Sequence, residues 1–125
     1  MNQPPNTAVQ SEGAGPASPS ARIADGVELR ELRRHEAGGR TFLIRMERGA
    51  RAPRHGHPGG EETYLVSGRL RITDRVDVEG NALSELRLST GDYEYSPPGE
   101  LHAVVAEDDA VLFVVAPGGV SRSAD

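Results

Sequence analysis

The sequence predicts an all-β fold: one domain, built as an antiparallel sandwich or small barrel. Two observations carry this. In TFLIRM (41–46), Phe42, Ile44 and Met46 alternate with Thr41, Leu43 and Arg45, the period of two expected of a half-buried strand rather than the helical period of about 3.6. Clusters of turn-forming residues also interrupt the chain at short, regular intervals, which suits many short strands joined by tight turns. With 125 residues, the chain fits a single core, since cores divide only beyond roughly 250 residues.

Taken in order, residues 1–21 (MNQPPNTAVQSEGAGPASPSA) are rich in Pro, Gly, Ser and Ala and lack a periodic apolar face. Such a segment buries too little to offset its ordering entropy, so a disordered tail is expected. The domain then spans 22–117, with 118–125 as a short second tail. Strands are expected at 27–32, 41–46, 61–66, 69–73, 74–78, 83–88, 93–96, 102–105 and 111–115. Turn signals separate nearly all of them: AGG at 37–39, HPGG at 57–60, SG at 67–68, EGN at 79–81, TGD at 90–92, PPG at 97–99 and EDD at 107–109. The segment 28–37 contains good helix formers but has a poor apolar stripe, and no internal repeat is visible. The segment 111–115 is apolar on both faces; a strand of that kind must be covered on both, and a homodimer through an outer strand would supply the second cover.

Composition narrows the chemistry. The chain carries 14 basic and 19 acidic residues, a net charge of -5, which argues against nucleic acid or an anionic membrane surface as the main partner. A small-molecule substrate fits better. Without cysteine there is no disulfide, thiolate metal site or cysteine nucleophile, so a bound metal must take nitrogen and oxygen ligands. The sequence shows no signal-peptide h-region and no apolar run near the roughly 20 residues of a membrane span, so a cytoplasmic protein is expected. Gly-rich phosphate loops and GxSxG elbows are absent as well.

One stretch concentrates the remaining chemistry. RHGHPGGEETYLVSG (54–68) holds two of the four histidines, His55 and His57, followed by Glu61 and Glu62. Residues at i and i+2 of a strand project from one face, so the two imidazoles can reach a common point. The spacings are Gly49, five residues, His55, one, His57, three, Glu61, six, Gly68; downstream come Gly91, five residues, Pro97, one, Gly99, two, His102. The prolines at 97 and 98 fix φ, and Gly99 permits a sharp reversal before His102. Three imidazoles and one carboxylate form a donor set that Fe(II), Mn(II), Ni(II), Cu(II) and Zn(II) all accept.

These spacings resemble the paired motifs of the cupin superfamily, G(x)5HxH(x)3-4E(x)6G and G(x)5PxG(x)2H(x)3N, with one departure: Ala106 stands where the second motif ends in asparagine. The resemblance covers roughly residues 40–115, and LSTGDYEYSPPGELHAV (88–104) is also similar to the cupin domains of some zinc-binding anti-sigma factors. It implies a small cupin jelly-roll barrel holding one divalent metal through His55, His57, Glu61 and His102, with Fe(II) or Zn(II) as first candidates. The six-residue spacing to Gly68 selects Glu61 over Glu62. By the same resemblance the chain is expected to be an enzyme acting on a small organic molecule, by dioxygenase-type oxidative cleavage or by metal-assisted isomerisation or cyclisation. The alternative is a non-catalytic ligand-sensing or regulatory module. Tyr95, Arg54 and Arg45 are pocket candidates, with Arg71 a further cation and Tyr64, Tyr93, Phe42 and Phe113 further aromatics; His35 matches no motif and is expected to be an exposed turn residue.

Overall fold

The computed structural model describes residues 19–119 and 121–122. Residues 1–18 of the expected N-terminal tail, and 120 and 123–125 of the C-terminal one, lie outside the described residues. Eleven strands form: β1 (Ala21–Ala24), β2 (Val27–Arg34), β3 (Arg40–Met46), β4 (Arg51–Gly56), β5 (Glu61–Ser67), β6 (Arg69–Val76), β7 (Leu86–Ser89), β8 (Tyr93–Ser96), β9 (Leu101–Ala106), β10 (Ala110–Ala116) and β11 (Ser121–Arg122). Among the described residues there is no helix, and therefore none long and apolar enough to cross a membrane.

The strands form two antiparallel sheets, ordered β1-β2-β3-β10-β5-β8 and β11-β4-β9-β6-β7. The fold is an all-β jelly roll. Among the described residues its hydrogen-bond ladders stay in two separate sheets and do not close into one cylinder, so the expected barrel is there a sandwich with free edges. Alternation decides which side chains the sandwich encloses. On β10, Ala110, Leu112, Val114 and Ala116 point inward and are buried, while Val111, Phe113 and Val115 face outward. Leu65 and Leu70 are fully buried beside Met46 and Val27, and each such side chain contributes about 1.5–3 kcal/mol by leaving water.

Three expectations change. Segments 69–73 and 74–78 are one strand, β6: Asp74 takes a positive φ of 52° and the register against β9 shifts between Thr73 and Val76, so the alternation breaks phase without ending the strand. The strand expected at 83–88 begins only at Leu86. β1, β4 and β11 are additional. β4, RAPRHG, contains Pro53 and Gly56 and lacks an apolar alternation; it is a strand because β9 pairs with it. β11 pairs Ser121 with Gly56 and Arg122 with His55, which ties the segment beyond 117 to the sheet.

Candidate metal centre

The cluster forms where four strand ends meet. His55 on β4 lies directly opposite His102 on β9, after a register shift between Ala52 and His55. His57 follows β4 in the HPGG turn, and Glu61 opens β5 opposite Ser96 of β8. Two glycines make the turns possible. Gly99 has φ +88°, and a Cβ there would meet Val78 Cγ2 at 2.7 Å; a Cβ on Gly59 would come within 2.6 Å of the Gly118 nitrogen. Neither site admits a larger residue without movement of its neighbour.

One ligand atom from each of His55, His57, Glu61 and His102 lies within 4.8 Å of all the others. His57, Glu61 and His102 are only 2%, 6% and 1% exposed. Glu61 Oε2 is 2.8 Å from His57 Nε2, and Oε1 is 3.3 Å from His102 Nε2. The His55 ring packs edge-on against both other rings, with centroids 4.9 Å away in each case. Glu62, by contrast, is exposed and accepts a 2.8 Å hydrogen bond from the Tyr93 hydroxyl on the outer face.

The outer nitrogen of each ring shows how the rings are held. His55 Nδ1 lies 2.8 Å from the Pro53 carbonyl and His57 Nδ1 lies 3.3 Å from the Gly119 carbonyl. A carbonyl only accepts, so both rings carry their proton on Nδ1. The Ser96 hydroxyl donates to Glu94 Oε2 at 2.8 Å, which leaves its oxygen to accept from His102 Nδ1 at 3.3 Å. All three rings therefore turn Nε2 toward the common point, the orientation that partners on the far nitrogen impose on metal-bound imidazoles. His57 Nε2 is buried and makes no hydrogen bond despite its closeness to Glu61, as suits a lone pair aimed at a cation. The residues fit a divalent ion.

Electrostatics favours the ligating forms of Glu61 and His55. Burial works to raise the Glu61 pKa, but the adjoining His102 and His57 imidazoles outweigh it and hold the carboxyl at about 2. Burial lowers the pKa of His55 and keeps that ring neutral. For His102 burial also acts to lower the pKa, yet the Glu61 hydrogen bond and charge overcome it and raise the value. A divalent ion at Nε2 would compete with a proton there. Glu94, inside the same wall, is pushed up by burial. Behind His102, the buried Glu100 pairs with Arg75 Nε at 3.3 Å.

A cavity of about 380 Å³ opens off the cluster, walled by apolar residues including Phe42, Ile44, Leu112 and Val114, and also by Arg40, Arg54 and Thr63. Of the pocket candidates, Arg54 lines it. Arg45 and Tyr95 do not: Arg45 is exposed between inward-facing Ile44 and Met46, and Tyr95 is exposed between buried Glu94 and Ser96. Tyr64, Tyr93 and Phe113 likewise face outward, whereas Phe42 lies inside. Arg71 pairs with Glu85 and Glu107. His35 is partly buried, with Nε2 2.8 Å from Thr41 Oγ1, and so is more than an exposed turn residue. Sequence reasoning missed Ser96, Glu94 and Arg40. Parity alone could have found them, since each sits on the inward row of its strand.

The family model described as ChrR Cupin-like domain matches residues 16–121. No curated protein matches the chain. Among solved structures, KdgF from Halomonas sp. is 22% identical with a TM-score of 0.62, over 79% of this chain and 87% of that one. Oxalate decarboxylase from Bacillus subtilis is 24% identical with a TM-score of 0.69, over 84% of this chain but only 30% of that one. A chain from the complex of Rhodobacter sphaeroides SigE with the anti-sigma ChrR is 23% identical with a TM-score of 0.63, over 79% of this chain and 49% of that one. At these identities the likeness is one of fold.

Proposed function

Because the chain belongs to the ChrR cupin-like family of the cupin superfamily, we propose that it is a divalent-metal-dependent enzyme acting on a small organic molecule held between its sheets. The observation that carries this is the convergence of three Nε2 atoms and the Glu61 carboxylate at the wall of a partly open, largely apolar cavity. His55, His57, Glu61 and His102 would hold the ion. When bound, the ion would supply Lewis-acid polarisation of a carbonyl or enolate and, in the case of Fe(II), redox chemistry with dioxygen. The chain's own residues do the rest. Pro53 O, Gly119 O and Ser96 Oγ orient the rings, and the apolar walls exclude water and place the substrate against the cluster. Oxidative cleavage and isomerisation or cyclisation both suit such a site. A cytoplasmic setting belongs to the same reading. So does a homodimer covering the outer face of β10, where Phe113 is exposed; light scattering at micromolar concentration tests it, and a monomer would end it.

A second reading, a regulatory module that binds metal and ligand without turnover, is supported by the family match and by the likeness to the SigE–ChrR complex. Metal analysis of the purified protein, joined to oxygen uptake and product analysis over small diketones, phenols and acids, separates the two. Stoichiometric metal with turnover supports the enzyme; stoichiometric metal with ligand binding and no turnover supports the module; absence of metal in the protein and on reconstitution defeats both.

A further inference from the structure

We propose that the cavity is built for a small, largely apolar carboxylate whose anionic end is held by Arg40. This rests on the reading of the cavity as the ligand site and names the class of molecule it takes. The first argument is charge. The whole chain is acidic, at -5, yet the cavity is lined by two guanidiniums, Arg40 and Arg54, against the single carboxylate of Glu61. A divalent ion on the cluster would add two further positive charges. An anionic ligand is therefore drawn into this site against the sign of the protein's surface.

The second argument is position. Arg40 and Phe42 share the inward face of β3, and the Arg40 guanidinium lies 5.2 Å from the Phe42 ring centroid. Arg40 pairs with Ala116 across β10, and the register of Val115 with Glu62 continues to place Ala116 beside Glu61. Arg40 and Glu61 thus stand on one row with only a methyl group between them, two strand spacings or roughly 10 Å apart along the sheet. A molecule bridging that gap touches Arg40 with one end and the metal cluster with the other. Arg40 is also loosely held from behind. Glu31 Oε1 lies 3.8 Å from its Nη1, while the same oxygen meets Arg34 at 2.9 Å. The Arg40 side chain is 34% exposed, and a guanidinium fork so loosely paired can receive a carboxylate.

The third argument is the wall. Thr63 brings the one neutral hydroxyl among the described cavity-lining side chains, so a polyhydroxylated acid would bury hydroxyls without partners. About 380 Å³ admits on the order of ten non-hydrogen atoms at the ~30 Å³ that a small molecule such as water occupies in the liquid.

Titration calorimetry with benzoate and 4-methylpentanoate, beside their neutral amides and gluconate, tests this on metal-free and zinc-loaded protein. The metal-free arm removes direct ligation of the carboxylate by the ion. Each acid is expected to bind about tenfold or more tightly than its amide in both arms, with gluconate weakest. Arg40→Gln should abolish the preference for acid while leaving amide affinity and zinc content unchanged, and Arg40→Lys should restore part of it. Equal binding of acids and amides by the unaltered metal-free protein, a preference that survives Arg40→Gln, or gluconate binding above benzoate would each overturn the proposal. Zinc content of the same samples judges the metal reading separately: a chain that takes no zinc yet prefers acids defeats that reading alone.

Discussion

The two faces of β5, β8 and β10 are made by the same backbone and carry opposite chemistry. Inward stand Glu61, Thr63 and Leu65, then Glu94 and Ser96, then Leu112 and Val114, all buried. Outward stand Glu62, Tyr64 and Val66, then Tyr93 and Tyr95, then Phe113. Every aromatic ring on these three strands faces out, and the carboxylate and hydroxyl that serve the cluster face in. Residue type would have placed the tyrosines in a binding pocket; parity places them on the surface. What distinguishes a ligand from an ornament here is whether its position is odd or even, and a one-residue slip would exchange the two sets.

Paired substitutions across that divide break or sharpen the contrast. The largest effect is expected at the adjacent glutamates. Glu61→Ala, like His55→Ala, His57→Ala or His102→Ala, should deplete bound metal measured per mole of chain, whereas Glu62→Ala should retain it with stability changed by no more than about 0.5 kcal/mol. Metal lost only in Glu62→Ala would sink the assignment of faces. Next come Leu65 and Val66, fully buried and 45% exposed: in chemical denaturation Leu65→Ala should cost about 2–5 kcal/mol and Val66→Ala well below that. On β8, Ser96→Ala should weaken metal affinity about 10–100-fold in competition with a chromophoric chelator, through loss of the acceptor that orients His102. Tyr95→Phe should leave it unchanged, and equal effects of the two would show that His102 is oriented by something else.

The smallest contrast is in acid. Glu61 is held at about 2 in the folded chain against an ordinary value of 4.5, so in metal-free protein its contribution is present above pH 4.5 and is lost as pH falls toward 2. His55, lowered by burial, likewise costs stability once pH drops below its ordinary 6.5. His102, raised by Glu61 despite its burial, acts in the opposite sense, its contribution fading as pH rises past that value. Denaturation midpoints between pH 5 and 2 should therefore flatten in Glu61→Gln and keep their slope in Glu62→Gln. An unaltered slope in Glu61→Gln would mean that other carboxylates dominate acid unfolding.

Much of this was legible before any coordinate was known. Alternation located β2, β3, β5, β8, β9 and β10, and the two spaced motifs named all four residues of the cluster. The losses have physical causes. β4 becomes a strand through its partner rather than its own sequence, since RAPRHG has no apolar rhythm. Alternation reads β6 as two strands because a positive φ at Asp74 shifts the phase of its side chains. The acceptors behind His55 and His57 are backbone carbonyls of Pro53 and Gly119, and any residue at those positions would offer the same oxygen, so no side-chain pattern marks them. Arg45 and Tyr95 have the side-chain chemistry of pocket residues, yet β3 and β8 turn them outward.

The carbonyl of Gly119 that orients His57 also imposes an order of events on biosynthesis. His55 and Gly119 are separated by 64 positions in the sequence, which a ribosome adding 5–20 residues per second crosses in roughly 3–13 s. Glu61 follows His57 by only four positions, about a second or less at those rates, whereas His102 and then Gly119 come later. An ion that reached the four side chains before then would meet a His57 ring whose Nδ1 acceptor has not yet been made.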